Sequence, residues 1–201
     1  IQISPKSIVL EPVGRNTAPA IALAAILSLR ENKDDLLLVL AADHEIKNKN
    51  EFIKKIEEGI LLANEGRLVT FGVVPDKPET GYGYIEAFEE LKGKITSSRI
   101  RKFIEKPELD LAKQLIQDKR YLWNSGIFLF KSSTILNEIR RMHPEIVEIC
   151  EKSLQNNLKE KELDFQRLDV DNFKCCPNIP IDIAVMEKTQ LGTVLSLDAG
   201  W

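Results

Sequence analysis

Two aspartates stand directly after apolar runs of strand length, where their carboxylates could bind a metal ion. Asp43 follows the run Leu36–Ala42, and Asp198 follows the run Thr193–Leu197. In open α/β sheets the ligand crevice lies beyond the carboxyl ends of the strands, so two such carboxylates can meet there. Magnesium commonly takes one or two carboxylates together with substrate phosphates. Each aspartate alone could equally be a turn residue, and His44 is a weaker candidate because neighbouring strand residues point to opposite faces.

A glycine-bearing loop, a charge pair and an asparagine form a second set of candidates. Gly81 and Gly83 could let a ligand approach the backbone closely, or they could mark a turn. Glu105 and Lys106 resemble a surface charge pair, which is solvated by default and contributes roughly 0–1 kcal/mol to stability. Asn124 could likewise merely end a loop. None of these positions identifies a site by itself.

The segment Glu11–Thr17 stands directly before a predicted helix start and contains Arg15 and Asn16. Unsatisfied N–H groups and the positive end of the helix dipole favour anionic or acceptor groups at such a position. The alternative is that Thr17 simply caps the helix. Physical reasoning alone leaves both interpretations open.

The cysteines do not indicate thiol or metal chemistry. Cys150, Cys175 and Cys176 match no metal-binding spacing, and no activating partner for a thiol nucleophile is visible in the sequence. Reduced cytoplasmic thiols are the simplest interpretation. The lack of an obvious covalent nucleophile is compatible with phosphoryl-type transfer, which depends on positioning, a metal and fixed cations.

The composition excludes several classes of protein. The chain has 201 residues, of which 43% are hydrophobic and 29% charged, as expected for one globular α/β domain. Its formal net charge of -3 leaves no basic surface for a nucleic-acid backbone, although single nucleotides remain suitable ligands. No run approaches the ~20 apolar residues of a membrane span. We therefore expect a cytoplasmic protein that binds neither nucleic acid nor membrane.

Strand-like apolar runs alternate with helical periodicity, which predicts an α/β layer fold with parallel strands. Thr17 and Pro19 suit the start of a helix that runs to about Arg30 and is buried on most sides. The run Leu36–Ala42 suits a strand covered on both faces, and Pro107 suits the first turn of a later helix. The other predicted elements are a helix through Phe52 and Ala63, strands at Leu68–Val74, Arg101–Glu105, Ile127–Phe130 and Thr193–Leu197, helices at Thr134–Met142, Pro144–Leu154 and Ile183–Glu187, and an irregular segment at Leu158–Pro180.

Six sequence blocks occur in order along nearly the whole chain. They are Glu11–Ala20, Leu40–His44, Pro78–Tyr84, Phe103–Pro107, Trp123–Gly126 and Asp198–Trp201. Together they resemble the bacterial mannose-1-phosphate guanylyltransferases, and so many ordered matches make coincidence a poor explanation. The first block favours the guanylyl branch over the related uridylyl and thymidylyl transferases.

The resemblance implies a fold and a set of site residues. The fold is α/β, with a Rossmann-like mixed sheet flanked by helices, of the nucleotide-diphospho-sugar transferase type. Asp43 and Asp198 would hold Mg²⁺ against both phosphate-bearing substrates, and Lys106 would face phosphate charge. The residues near the guanine and ribose would be Glu11, Arg15, Asn16 and Thr17, and those that contact the mannose would be Gly83, Glu105 and Asn124.

The activity implied by the resemblance is transfer of GMP from GTP to mannose 1-phosphate, which gives GDP-mannose and pyrophosphate for polysaccharide biosynthesis. An oxygen of mannose 1-phosphate attacks the α-phosphorus of GTP in line, and no covalent enzyme intermediate is needed. Mg²⁺ and Lys106 would neutralise charge where the two anionic substrates repel each other. Two alternatives stay open: a non-catalytic homologue that binds nucleotide-sugar and regulates a partner, and a transferase for another nucleotide or hexose phosphate.

Two departures from the family pattern affect these expectations. The family's glycine-rich loop, which wraps the triphosphate, is absent from these residues. We therefore expect residues 1–201 to be a single nucleotidyltransferase domain that lacks its N-terminal strand, its phosphate loop and its C-terminal part. The family's last motif usually continues to another aspartate, which competes with Asp198 for the role of second metal ligand. Many relatives also carry a mannose-6-phosphate isomerase domain, and a homodimer is among the oligomeric options.

Overall fold

The computed structural model describes residues 5–30, 33–155 and 165–201, and a six-stranded sheet lies at its centre. The strands are β1 (Ile8–Leu10), β2 (Leu36–Val39), β3 (Leu68–Val73), β4 (Tyr84–Ala87), β5 (Ser97–Ile104), β6 (Tyr121–Lys131), β7 (Phe165–Arg167) and β8 (Gly192–Ser196). The helices are α1 (Thr17–Arg30), α2 (Lys49–Asn64), α3 (Leu109–Leu115), α4 (Ser132–Met142), α5 (Pro144–Gln155) and α6 (Val170–Lys174). A single π-helical turn, Asp182–Met186, follows α6.

The strand directions bring three carboxyl ends to one edge of the sheet. The order is β2-β6-β3-β8-β5-β4, while β1 and β7 form a separate parallel pair. β6 runs antiparallel to both β2 and β3, and β3 runs parallel to β8. β2, β3 and β8 therefore point the same way. β4 returns to pair with the start of β6, where Tyr84 faces Trp123.

Apolar side chains on both faces of the sheet account for the three layers of the fold. Successive strand residues point to opposite faces. Phe128 and Phe130 of β6 join the core formed with α1, α4 and α5, whereas Ile127 and Leu129 join the core formed with α2. Each such buried side chain contributes about 1.5–3 kcal/mol, so the sheet is fixed from both sides.

Several predicted elements are confirmed. α1 has the predicted bounds, carries Pro19 in its first turn and is buried over a wide arc. The predicted strand Leu68–Val74 and the two helices before and after His143 agree with the structure to within two residues. The mixed sheet implied by the resemblance is confirmed. The expected parallel pairing occurs between β3 and β8 and between β1 and β7, whereas the other strand pairs are antiparallel. No helix among the described residues is long and apolar enough to cross a membrane.

Three element predictions are corrected. β2 ends at Val39 instead of Ala42 and is half-exposed, because in the described part of the chain it pairs with β6 alone. α3 begins at Leu109, so Pro107 lies before the helix instead of in its first turn. The segment expected to be irregular contains β7 and α6. Residues 158–164 of that segment lie outside the described residues.

β6 is much longer than the predicted strand Ile127–Phe130. It begins at Tyr121, so Trp123 and Asn124, expected in a loop, are strand residues. The reason is pairing on both sides: Trp123 lies opposite Val73 of β3 and also opposite Tyr84 of β4. Tertiary pairing here outweighs the weak strand preference of Asn124, which lies opposite Gly72 of β3.

Candidate functional site

A cleft of about 330 Å³ opens beside the carboxyl end of β2 and the start of β4. Its lining includes four residues that were predicted from the sequence, namely Thr17, Gly83, Glu105 and Asn124. His44, Tyr82, Asp182 and Trp201 also line it. The location agrees with the rule that ligands of α/β sheets bind beyond the carboxyl ends of strands.

The three predicted sugar-binding residues lie together at one end of this cleft. The backbone N–H of Asn124 donates a 2.8 Å hydrogen bond to the carbonyl of Gly83. A Cβ atom at Gly83 would lie 2.8 Å from Oε2 of Glu105, so a glycine here leaves room for that carboxylate. The structure therefore brings Gly83, Glu105 and Asn124 into one cluster, while their contact with a sugar stays a prediction.

Hydrogen bonds on both sides fix the side-chain amide of Asn124. Its Oδ1 accepts from the backbone N–H of Gly126 at 3.3 Å. The hydroxyl of Thr70 lies 3.0 Å from the same oxygen and 3.1 Å from the carbonyl of Ile127, and its single proton is shared between them. Its Nδ2 donates to Oδ1 of Asp182 at 2.8 Å. Because the N–H of Gly126 can only donate, the amide oxygen must face Gly126 and the amide nitrogen must face Asp182.

Asp182 is an acidic residue in a setting that disfavours its charge. Burial, and then the negative charge of Glu105, raise the pKa of Asp182 to about 6. Burial and Glu105 also raise the pKa of Glu187, at the end of the same π-helical turn. This end of the cleft is therefore acidic, and Asp182 loses its proton as the pH rises through about 6. Perturbed carboxyls in clefts are common at functional sites.

Aromatic rings form another wall of the cleft and join segments that are distant in sequence. Nε1 of Trp201 donates to Nδ1 of His44 at 3.2 Å, and their rings meet edge to face with centroids 5.4 Å apart. Tyr82 contacts both Trp201 and Trp123, with centroids 5.3 Å apart in each pair. The rings thus connect the loop after β2, the loop before β4 and the segment after β8.

The two predicted metal ligands lie on loops that run side by side. Asp43 is in the turn after β2, and Asp198 follows β8. The backbone N–H of Asn48 donates to the carbonyl of Ala199 at 2.9 Å, which joins the two loops directly. Both aspartate side chains are exposed at the same edge of the sheet. The loops that follow β2 and β8 are therefore joined, while a meeting of the two carboxylates stays a prediction.

The donor set here fits Mg²⁺ only if the ion shares its ligands with a substrate. Within residues 5–30, 33–155 and 165–201, no group of three or more His, Cys, Asp or Glu side chains could hold a metal ion. Mg²⁺ often keeps waters and binds through one or two carboxylates plus phosphate oxygens. Asp43 and Asp198 can supply those carboxylates, and their role as metal ligands stays a prediction.

Lys106 follows Glu105 directly in the chain and has an unusual backbone conformation. Its φ is +42°, in the left-handed region that non-glycine residues rarely adopt. Its Nζ lies 3.7 Å from Oε1 of Glu105, and most of its side chain is exposed. Such a backbone conformation destabilises the fold by about 1–3 kcal/mol, and residues that adopt it are concentrated at functional sites. The ammonium group is thus available to a phosphate close to Glu105.

Thr17 contacts the π-helical turn instead of capping α1, so its prediction as an N-cap is wrong. Its Oγ1 accepts a 2.8 Å hydrogen bond from the backbone N–H of Ile181. The N–H of Thr17 itself donates to Oδ1 of Asn16 at 3.0 Å, and Asn16 has a φ of +66°. The start of α1 is therefore attached to the residue directly before Asp182.

The remaining predicted nucleotide-binding residues lie outside the cleft lining. Arg15 donates through Nη2 to the carbonyl of Lys174 at the end of α6, so part of its guanidinium holds two chain segments together. Burial raises the pKa of Glu11. Of Glu11, Arg15, Asn16 and Thr17, the structure places only Thr17 in the lining. Their proximity to a guanine or ribose stays a prediction.

Sequence reasoning missed Asp182 and gave no individual role to Tyr82 or Trp201. Asp182 stands between two isoleucines at the start of an apolar stretch, Ile181–Met186. A carboxyl in such a stretch is a signal, because acidic residues are rarely buried without a partner. The partner, Asn124, is distant in sequence, so the sequence alone could not supply it.

Comparisons with known proteins agree with this architecture. The Nucleotidyl transferase family model matches residues 2–175. The mannose-1-phosphate guanylyltransferase RfbM of Salmonella typhimurium (strain LT2) is 47% identical over 197 residues, which are 97% of this chain and 40% of that protein. The mannose-1-phosphate guanylyltransferase of Salmonella muenchen is 46% identical over 197 residues, which are 97% of this chain and 41% of that protein. The chain thus spans about two fifths of the length of these curated relatives.

A solved structure shows the same fold. The crystal structure of mannose-6-phosphate isomerase from Helicobacter pylori matches with a TM-score of 0.86 and 35% sequence identity. The match covers 97% of this chain and 73% of that one. The mixed sheet, its flanking helices and the sequence similarity over nearly all 201 residues lead to one conclusion. The chain belongs to the Nucleotidyl transferase family.

Proposed function

We propose that this protein transfers GMP from GTP to mannose 1-phosphate, which yields GDP-mannose and pyrophosphate. The observation that carries the proposal is the 46–47% identity, over nearly the whole chain, to proteins named mannose-1-phosphate guanylyltransferase. The cleft supports it independently. One end presents carboxyl and amide groups suited to hydroxyls, and the adjoining loops present exposed carboxylates suited to a phosphate-bound cation.

In this proposal each side chain acts on a defined part of the two substrates. Gly83, Glu105 and Asn124 bind the mannose ring and hold its 1-phosphate for in-line attack on the α-phosphorus of GTP. A phosphate oxygen forms the new P–O bond as the bond to pyrophosphate breaks, so no covalent enzyme intermediate arises. Lys106 neutralises phosphate charge that would otherwise keep the two anions apart. The proposal assigns Thr17, Glu11, Arg15 and Asn16 to the binding of the nucleotide.

The proposal includes Mg²⁺ as cofactor, held by Asp43 and Asp198 together with substrate phosphates. When bound, the ion supplies further charge neutralisation at the reacting phosphates. The two aspartates lie on loops joined by the hydrogen bond between Asn48 and Ala199, so a shared ion would fix both loops. The proposal places the reaction in the cytoplasm, where free thiols such as Cys150 and Cys176 stay reduced.

A pyrophosphate-release assay on the full-length protein tests the proposal. GTP, UTP, dTTP and ATP are each supplied with mannose 1-phosphate or glucose 1-phosphate in the presence of Mg²⁺. We expect GTP with mannose 1-phosphate to give the highest kcat/KM. A higher kcat/KM with another nucleotide or hexose phosphate would show that the protein is a transferase of different substrate specificity. Binding of GDP-mannose without any turnover would indicate a non-catalytic, regulatory homologue.

A second activity in the full-length protein is a separate part of the proposal. The curated relatives are more than twice as long as this chain, and the Helicobacter pylori protein of similar fold is described as a mannose-6-phosphate isomerase. We therefore include interconversion of mannose 6-phosphate and fructose 6-phosphate, carried by residues outside this chain. A coupled isomerase assay on the full-length protein checks it, and a complete lack of interconversion contradicts it.

A further inference from the structure

We propose that Asp182 is a further hexose-binding residue of the cleft, whose carboxyl group accepts a hydrogen bond from a ring hydroxyl of the sugar phosphate. The inference rests on the proposed function and adds to it a residue that the sequence analysis did not single out. Its basis is the set of hydrogen-bonding groups at the end of the cleft that holds Gly83, Glu105 and Asn124.

Asn124 has a donor to offer a sugar hydroxyl. Its Nδ2 gives one hydrogen to Asp182 and has a second one left. Its Oδ1 accepts from the N–H of Gly126, while the single proton of the Thr70 hydroxyl is shared between this oxygen and the carbonyl of Ile127. The carboxyl side chains that line the cleft are those of Glu105 and Asp182. Ionised carboxylates accept shorter and stronger hydrogen bonds than neutral oxygens, which makes these two groups the strongest side-chain acceptors for hexose hydroxyls here.

Asp182 has the remaining acceptor capacity and the position. A carboxylate offers about four lone-pair sites, and Asn124 occupies one of them. The side chain is half-buried and lines the cleft together with Glu105. The charges that act on it, from Glu105 and Glu187, are both negative, which disfavours a phosphate at this spot. The ligand group that fits this negatively charged environment is a neutral ring that carries hydroxyl groups.

The backbone around Asp182 is held firmly enough to position a ligand. The preceding residue, Ile181, is fully buried and donates its N–H to Oγ1 of Thr17. The N–H of Glu187 donates to the carbonyl of Asp182 at 2.9 Å and closes the π-helical turn. Ala184 and Val185 of that turn are fully buried. Single π-helical turns of this kind occur frequently at functional sites.

The test is steady-state kinetics on the full-length protein with Asp182→Ala and Asp182→Asn. We expect Asp182→Ala to raise the KM for mannose 1-phosphate by roughly 10- to 100-fold, as for loss of a hydrogen bond to a charged group, with the KM for GTP changed less than about two-fold. Asp182→Asn keeps the volume and an acceptor for Asn124, so we expect a smaller rise of roughly 3- to 10-fold. Glu148→Gln is the matched control, because it removes an exposed negative charge on α5, outside the cleft lining. The KM of this variant for mannose 1-phosphate should stay within about two-fold of the wild-type value.

Deoxy analogues of mannose 1-phosphate separate direct contact from a structural role. The wild type should bind one of the 2-, 3-, 4- and 6-deoxy analogues much more weakly than the parent sugar, and Asp182→Ala should lose that discrimination for the same analogue alone. An equal loss for every analogue, or an unchanged KM for mannose 1-phosphate in both variants, overturns the inference. Should Asp182→Ala fail to fold, Asp182→Asn carries the same test.

The inference and the proposed function can fail separately. Turnover of mannose 1-phosphate with normal kinetics in both Asp182 variants would overturn the inference alone. Absence of turnover in the wild type would overturn the proposed function. In that case quenching of tryptophan fluorescence by mannose, glucose or galactose 1-phosphate still tests Asp182, because Trp201 lines the same cleft. Binding that Asp182→Ala weakens supports the inference, and equal binding, or no binding to the wild type, overturns it.

Discussion

The side-chain amide of Asn124 donates a 2.8 Å hydrogen bond to the carboxyl group of Asp182, which is 58 positions away in the chain. This bond joins the long strand β6 to the π-helical turn after α6. On the β6 side, Asn124 is also bonded to the backbone of Gly83 and to the hydroxyl of Thr70. This end of the cleft is thus built from four separate segments whose polar groups hold one another in place.

Removal of the charge at Asp43 should stop turnover without harming the fold. A neutral amide is a poor ligand for Mg²⁺, so we expect Asp43→Asn to lower kcat/KM by at least about 100-fold. The side chain is exposed, so the thermal midpoint should stay close to that of the wild type. Glu45→Gln, an exposed acidic residue on the same loop, is the matched control. Pyrophosphate release at full activity in Asp43→Asn would exclude the metal role.

Lys106 should act through its positive charge. We expect Lys106→Ala to lower kcat/KM by roughly 100-fold, because a phosphate charge is left without its cation, and Lys106→Arg to recover part of the activity. Lys113→Ala removes another exposed lysine, one that pairs with Asp110 on α3, and serves as the control. Kinetics for Lys106→Ala that match those of Lys113→Ala would show that Lys106 belongs to an ordinary surface pair.

A methyl group at Gly83 should disturb sugar binding through Glu105. The added Cβ would lie 2.8 Å from Oε2 of Glu105 and 3.1 Å from the ring of Phe103, so the carboxylate must move. We expect Gly83→Ala to raise the KM for mannose 1-phosphate by about 10-fold and to leave the KM for GTP nearly unchanged. Gly81→Ala is the matched control, because no atom lies within 4 Å of its added Cβ. Equal KM values for the two variants would contradict the packing argument.

The free energy of unfolding should depend on pH through the raised pKa of the Asp182 carboxyl group. Burial, and then the charge of Glu105, raise its pKa to about 6 from the ordinary 3.8. Because the pKa is higher in the folded state, its stabilising contribution is present below about pH 4 and is lost as the pH rises through about 6. Asp182→Asn cannot ionise, so relative to the wild type it should gain stability over this range, by at most about 3 kcal/mol.

Urea denaturation of the wild type and Asp182→Asn at several pH values measures this difference. Glu138→Gln should show the opposite trend, because hydrogen bonds from Arg141 hold the pKa of Glu138 below its ordinary value. Its contribution is present at neutral pH and is lost on acidification. A free-energy difference between wild type and Asp182→Asn that does not vary with pH would show that Asp182 is not buried as the structure indicates.

The parts of the fold that follow from local pattern could be predicted from the sequence. The bounds of α1 are predicted correctly because its apolar, alanine-rich sequence both favours a helix locally and is buried as a helix in the fold. The loops that carry Asp43 and Asp198 meet because both follow strands of the same direction. The ordered sequence blocks also identified the group formed by Gly83, Glu105 and Asn124, which local pattern alone left ambiguous.

The parts that depend on long-range contacts could not be predicted. The first part of β6 contains Asn124, Ser125 and Gly126, which have low strand propensity. Asn124 is in the strand because it pairs with Gly72 of β3, and Ser125 and Gly126 lie in the register shift that follows. Thr17 has the type and position of a helix cap, but its hydroxyl binds Ile181 across the fold. Asp182 gains its role from Asn124 and Glu105, which no local pattern connects to it.

The most direct test of the account is product formation by the full-length protein with GTP, mannose 1-phosphate and Mg²⁺. GDP-mannose is measured by ion-exchange chromatography, and pyrophosphate is measured in the same reaction. The account predicts equal amounts of the two products, formed by the wild type and abolished in Asp43→Asn. Absence of GDP-mannose from the wild-type reaction, or its formation at an unchanged rate in Asp43→Asn, would contradict it.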